Sequence, residues 1–306
     1  MERKLLIGGG GGMGNRINGL IDGIFFNEKC YNGKLYYLWK ADDYACDCDF
    51  KYLFKPIDGL EIISDKTYEV SSHDWNPIIR GEDELDNIMH TECENVRKSD
   101  RVALSQSNLL RSITLKDTIE IVKRLKPVDA IQKEVDDFCD KNKIDKNVYG
   151  VHIRRTDGAS LGRADDNHFI NAIKTGMDRN GSDTKFLICS DSLETELKFK
   201  SLFPDNVIYR EKQAYTEKKF PGESWRNVDG IDSATGKMHH WKYNVRISKQ
   251  AVMDGLIDML LLSRTDFDMR RFGIGYGGTF CRMAYYFSLV PHYDEIPTNK
   301  DNGEFL

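Results

Sequence analysis

"KLLIGGGGGMGNRINGLIDGIFFNEKCYNGKLYYLW", residues 4–39, decides how the rest of the chain is read. A short apolar run, "KLLIG", reads as a strand and gives way at once to a glycine loop. Apolar Ile17, Leu20, Ile21, Ile24 and Phe25 then recur at helical spacing, and Gly33 supplies a stop. "KLYYLW" is a second strand. Strand, helix and strand in that order predict a parallel βαβ unit. Gly9, Gly11 and Gly14 also spell G-x-G-x-x-G, the pattern of a dinucleotide-binding loop. Such a loop wants an acid at the end of the next strand, about 20 residues on. Asp42 does follow "KLYYLW", but 28 residues past Gly14, and five consecutive glycines match the pattern by accident. A nicotinamide-dependent oxidoreductase would rest on this loop alone.

The remaining composition narrows the class. At 306 residues the chain is long enough for two domains, and 40 % hydrophobic residues with 11 % aromatics supply ordinary cores. The net charge of −5 offers no basic field for nucleic acid, so cations that meet an anionic ligand must be concentrated locally. The longest apolar stretch, "GLIDMLLL", is too short for a membrane span and carries an acid, and glycines interrupt any signal-peptide core. Seven scattered cysteines read as free thiols rather than a disulfide framework, which points to a reducing, cytoplasmic compartment. Cys46 and Cys48 form C-x-C without a second close pair, and adjacent His239 and His240 face opposite sides of a strand, so no metal site is expected.

Residues 41 to 115 are irregular, with short strands such as "LEIIS". Two helices follow around Pro127, one burying Ile119, Val122 and Leu125, the other Ile131, Val135 and Phe138. After the polar linker "DKNKIDKN" comes an alternating series: "VYGVHIRR", "NHFINAIKTGM", "KFLICS", "SLETELKFKSLF" and "NVIYR". Strand, helix, strand, helix, strand again predicts a parallel sheet. Residues 211 to 250 read as a long insertion-like loop, before a helix through "QAVMDGLIDMLLLSRT" and the closing "GIGYGGTFCRMAYYFSLV". The expected architecture is α/β, with Rossmann-like domains over 1–144 and 145–290 and a tail over 291–306.

The densest chemical signal is "GVHIRRTD", residues 150–157, at the carboxyl end of a strand, where open α/β sheets bind ligands. His152, Arg154, Arg155 and Asp157 at one strand end suit a diphosphate, since guanidinium forks match phosphate oxygens. The order of residues resembles the H-x-R-x-x-D signature of the α-1,6-fucosyltransferase superfamily, which includes the nodulation and core fucosyltransferases. Other parts fall in the same order. "GMGNRINGLIDGI" with "KLYYLW" is similar to its opening loop, helix and strand, and "CDFKYLF" to its cysteine-containing segment. "FLICSDSLETELKFKSLFPD", "DGLIDMLLLSRTDF" and "GGTFCRMAYYFS" resemble its later motifs.

The resemblance implies a GT-B glycosyltransferase, with two Rossmann-like domains facing across a cleft. It would transfer fucose, or a related sugar, from a GDP-sugar to a glycan acceptor with inversion and without metal or cofactor. Arg154 would hold the β-phosphate as the main catalytic cation, and His152 and Asp258 would contact guanosine. Asp254 lies one helical turn from Asp258 and shares its face. Gly14, Asn15 and Arg16 would approach the sugar diphosphate. Gly278 and Thr279 open a helix whose backbone N–H groups can cradle phosphate. Relatives often carry serines where this chain has Gly275, Tyr276 and Gly277, and in core fucosyltransferases a lysine replaces Gly158. The nearest acids for deprotonating the acceptor are Asp165 and Asp166. Trp225 and Trp241, in the long loop, offer aromatic faces to an acceptor sugar. A catalytically inactive nucleotide-sugar-binding protein of the same fold is the alternative from outside enzymology.

Overall fold

The run Leu5–Ile7 has both faces covered, as an inner strand of a parallel sheet requires, and it forms the centre of β1 (Lys4–Gly8). The chain is described by a computed structural model over residues 2–8, 10–41, 46–65, 68–71, 74–104, 112–155, 165–213, 226–231, 238–243, 248–267 and 278–296. At 81, 82, 91–93, 95, 226–231 and 238–243 the description is of the backbone alone.

After the glycine loop, α1 (Met13–Phe26) is buried at every position except Asn15. A helix buried nearly all round is an interior helix, and Arg16, Asn18 and Asp22 are buried with its apolar residues. It runs on through one wider turn to Tyr31 and stops where Asn32 takes a left-handed φ of 54°. Gly33 is required by space: a Cβ there would meet Tyr31 Cε1 at 2.6 Å and the Arg3 carbonyl at 2.9 Å. The Asn27 side chain brackets it, accepting from Gly33 N at 2.9 Å and donating to Gly33 O at 3.0 Å.

β2 (Lys34–Leu38) follows, then β3 (Leu60–Ile63), β4 (Ile78–Ile79), α2 (Gly81–Asn87), α3 (Cys93–Arg97) and β5 (Arg101–Leu104). These make a five-stranded sheet in the order β3-β2-β1-β5-β4, every pair parallel. Strand order reverses between β1 and β5, so the glycine loop lies at a switch point of the sheet. Past β2, Trp39 is fully buried, donates to the Cys48 carbonyl at 2.8 Å and meets Phe50 edge-on at 5.4 Å. α4 (Leu115–Val122) packs on α1 and is capped by Thr114, which accepts from Asp117 N. α5 (Asp129–Asn142) follows Pro127. Ile131 and Val135 are buried as expected, whereas Phe138 is only half-buried.

The chain falls into two compact units, residues 1–131 with 286–306, and residues 132–285. It passes from one to the other inside α5, upstream of the polar linker, and returns inside the last helix. The second unit is built from β6 (Val148–Ile153), α6 (Asp166–Asn180), β7 (Lys185–Ser190), α7 (Leu193–Leu202) and β8 (Val207–Tyr209). Its sheet, β6-β7-β8, is again parallel. Val151, Ile153, Phe169, Ile173, Phe186, Ile188 and Phe199 form its core, all fully buried. Asp266 bridges onto the β6 edge, with Gly150 N donating to its carbonyl at 3.0 Å. Gly150 permits that approach, since a Cβ would come within 2.3 Å of Thr265 Oγ1.

Residues 211–250 hold more order than an insertion-like loop. β9 (Arg226–Ile231) and β10 (Met238–Tyr243) form an antiparallel hairpin there. The second unit is completed by α8 (Lys249–Arg264), capped by Ser248, and by the start of α9 (Thr279–Leu289). The reading of all cysteines as free thiols is corrected at Cys30, which is disulfide-bonded; Cys46, Cys48, Cys139, Cys189 and Cys281 are in no disulfide. Among the described residues no helix is long and apolar enough to cross a membrane.

Candidate functional site

The carboxyl edge of β6-β7-β8 gathers the charged residues of the second unit. β6 ends at Ile153, so Arg154 and Arg155 leave the sheet together, and their side chains part. Arg155 is anchored: its N–H donates to Asp191 Oδ1 at 2.6 Å, and its guanidinium pairs with Asp166 Oδ1 at 2.8 Å over the Phe169 ring. Arg154 stays exposed at the strand end.

Two residues before Arg154, His152 is buried. Its ring stacks on Phe280 with centroids 4.5 Å apart, and Nδ1 lies 3.3 Å from Cys281 Sγ. Burial drives its pKa down to about 4; Asp191 opposes the shift, while Arg154 and Lys212 add to it. The imidazole is therefore neutral at pH 7. Phe280 and Cys281 belong to the first turn of α9, so the start of that helix, with Gly278 and Thr279, sits beside the end of β6. Two groups of residues some 125 positions apart, marked separately in the sequence, are brought together here.

Asp254 and Asp258 do share a face of α8, but that face turns inward. Both side chains are buried, and Arg210 reaches them at 2.9 Å and 3.3 Å. Arg210 also holds Glu134 of α5 at 2.8 Å, and its guanidinium is kept firmly protonated by these acids. The second oxygen of Asp258 pairs with Lys212 at 3.0 Å, and Lys212 in turn pairs with buried Glu196 of α7. Glu196 is pushed up to about 7 by desolvation, against the pull of Lys212. Arg210, Lys212 and Glu196 were not legible as site residues. The one signal was a strand, "NVIYR", ending in cations with two acids spaced one turn apart later in the chain.

Other expectations meet a different geometry. Arg16 does not project from its loop: it is fully buried, donating to the Gly11 carbonyl at 2.9 Å and to the Lys40 carbonyl, with its guanidinium 5.3 Å from the centre of the Trp39 ring. Its role here is to hold the glycine loop against the end of β2. Gly14 is buried in the first turn of α1, and Asn15 beside it is half-buried. Asp165 caps α6, accepting from His168 N at 2.9 Å. Asp166 is claimed by Arg155 and by Lys198 at 2.5 Å, and the Lys198 hydrogen bond chiefly lowers its pKa. A carboxylate so held is a weak proton acceptor. Asp157 and Trp225 lie outside the described residues, and Trp241 pairs with Val228 in the hairpin backbone. Among the described residues no cluster of three His, Cys, Asp or Glu side chains is placed to hold a metal.

Fold and strand edge thus define an α/β protein in two units, each with a parallel sheet, the second carrying an exposed arginine at the carboxyl end of β6 and, packed on nearby His152, the start of a helix. No protein-family model matches the chain, and no curated protein matches it in sequence. Solved structures match its fold. The fucosyltransferase NodZ from Bradyrhizobium superposes with a TM-score of 0.60 at 16 % identity, over 93 % of this chain and 92 % of that one. POFUT1 in complex with GDP-fucose gives 0.54 at 10 % identity, over 94 % and 95 %. A variant of Arabidopsis thaliana FUT1 in complex with GDP gives 0.53 at 11 %, over 94 % and 68 %. The chain has the α/β fold of these GT-B fucosyltransferases.

Proposed function

We propose that this protein is an inverting glycosyltransferase that moves fucose, or a related sugar, from a GDP-sugar to a glycan acceptor. The observation that carries the reading is the meeting of Arg154, His152 and the start of α9 at the carboxyl edge of β6. It is supported by a fold shared with fucosyltransferases solved with GDP-fucose and GDP. In this reading residues 145–290 take the nucleotide sugar and residues 1–144 serve the acceptor.

The acceptor hydroxyl attacks the anomeric carbon while the bond to the β-phosphate oxygen breaks. GDP departs with the bonding electrons, and the acceptor proton is released. Negative charge grows on the leaving diphosphate, so fixed donors aimed at it lower the barrier most. Arg154 is the exposed fork at that position, and the backbone N–H groups that open α9, with Gly278 and Thr279, can add amide donors. Neutral His152, held flat against Phe280, suits contact with a nucleoside rather than with phosphate charge. Thermal melting with GDP, GDP-fucose, UDP and NAD tests the reading. A ligand at about 100 times its Kd adds roughly 2.7 kcal/mol. A shift with GDP and not NAD is expected; a shift with NAD alone would return the glycine loop to an oxidoreductase, and GDP binding without turnover would leave a binding protein.

A further inference from the structure

The buried charges below the strand edge form one continuous chain. Ser190 Oγ donates to the Ile153 carbonyl at 2.6 Å, immediately before Arg154. Ser190 N donates to Glu196 at 2.8 Å, and Glu196 pairs with Lys212. Lys212 pairs with Asp258 at 3.0 Å, and Asp258 with Arg210, which gathers Asp254 and Glu134. Lys212 is the link between two halves. On one side are the ends of β6 and β7, on the other the buried face of α8. Its side chain is 6 % exposed, Glu196 is fully buried and Asp258 is 6 % exposed, so solvent screens little of this pairing. Buried pairs of this kind are weak sources of net stability, because desolvation offsets their attraction. Their geometry is nevertheless specific: Glu196 Oε1 meets both Ser190 N and Lys212, and the two Asp258 oxygens are divided between Arg210 and Lys212.

We propose that Lys212 is a positioning residue for the nucleotide site. By bridging Glu196 and Asp258 it fixes the strand end that carries His152 and Arg154 relative to the α8 acids. This rests on the GDP-sugar reading above, and concerns a residue that touches no reacting atom.

The test is GDP affinity by calorimetry on the full chain, with melting recorded for each variant. Lys212→Met alone strands two buried carboxylates and invites unfolding. Lys212→Met with Glu196→Gln removes the ammonium and its carboxyl partner together, and the glutamine oxygen still accepts from Ser190 N. That double variant is expected to stay folded, with Tm within about 4 °C of the parent. Its GDP affinity should fall about tenfold, the scale of coupling within one network. Lys212→Arg keeps charge and both partners, and should recover most of the loss, which a general packing defect would not. A folded double variant that binds GDP as tightly as the parent overturns the proposal and leaves the functional reading intact. Should the double variant not fold, Glu196→Gln alone decides: unchanged GDP affinity counts against the bridge, and weakened affinity in a folded protein supports it. Absence of GDP binding by the parent chain removes the functional reading and this role together, and is seen before any variant is compared.

Discussion

Arg155 Nη2 stands 2.8 Å from Asp166 Oδ1, and Lys198 takes the other oxygen of the same carboxylate. The pair ties the end of β6 to the first turn of α6, and the prediction is that Asp166 holds the strand end rather than moving a proton. Asp166→Asn should leave kcat within about threefold and lower stability by roughly 0.2–1 kcal/mol, the worth of a partly exposed pair. Steady-state kinetics with a melting curve checks both. A hundredfold fall in kcat at constant KM would instead make Asp166 the base.

The neighbour, Arg154, has the opposite character. Arg154→Ala should reduce turnover roughly 100-fold or more, the scale for losing one donor aimed at developing charge. Melting temperature should hardly move, because the side chain is exposed. Arg154→Lys should recover little, since an ammonium cannot reproduce the fork. Near-normal turnover in the alanine variant would remove Arg154 from the leaving-group site.

Metal removal gives an independent check on the same charge. If arginine and backbone amides carry the leaving diphosphate, EDTA should leave most of the rate intact. The D-x-D letters at Asp47 and Asp49 flank buried Cys48, in a segment that belongs to no named strand. Loss of turnover on chelation, restored by manganese, would overturn the mechanism.

The two tryptophans in and beside the hairpin are proposed for the acceptor. Trp241 stands opposite Val228, and Trp225 immediately precedes β9. Aromatic faces suit sugar rings, and that chemistry alone is the ground for proposing these two tryptophans. Trp241→Ala and Trp225→Ala should each raise acceptor KM several-fold, on the order of 1 kcal/mol of lost contact, with GDP affinity unchanged. Acceptor titration at saturating donor reads the first quantity and calorimetry the second. Lost GDP affinity in either variant would move that tryptophan to the donor side.

What was legible in the sequence follows from how local each feature is. β1, β2, β6, β7 and β8 are short apolar runs closed by turn residues, and each formed where the pattern put it. The hairpin was missed because "RNVDGI" and "MHHWKY" are polar and lack a clean alternation. The motif around His152 and Arg154 was visible because its members are consecutive. The ion network beneath it was not, because Arg210 finds Glu134, Asp254 and Asp258 at separations of 76, 44 and 48 residues, which no spacing rule connects. Arg16 shows the converse case. Its place in a glycine loop suggested a ligand, while the nearby Trp39 ring and two free carbonyls offered a better partner inside.

His152 and Glu196 make a last prediction, because burial moves their pKa values in opposite directions. His152 falls from 6.5 to about 4, so the native state favours its neutral form. Its contribution is complete above pH 6.5 and is lost as pH falls from there towards 4. Glu196 rises from 4.5 to about 7, so the native state favours its protonated form. That contribution is complete below pH 4.5 and is lost as pH rises through 7. Between pH 4.5 and 6.5 the unfolded chain holds one more proton at the histidine and one fewer at the glutamate. The slopes, about 1.4 kcal/mol per pH unit each at most, then cancel. Stability of the parent protein should be nearly flat across this window. Glu196→Gln unmasks the histidine, and its Tm should fall as pH drops from 6.5 to 4.5. His152→Gln unmasks the glutamate, and its Tm should fall as pH rises from 5 to 7. Each slope should amount to a few degrees per unit, at roughly 2–4 °C per kcal/mol. Melting curves at half-unit pH steps decide it: two variants that track the parent would show that neither group changes its proton affinity on folding.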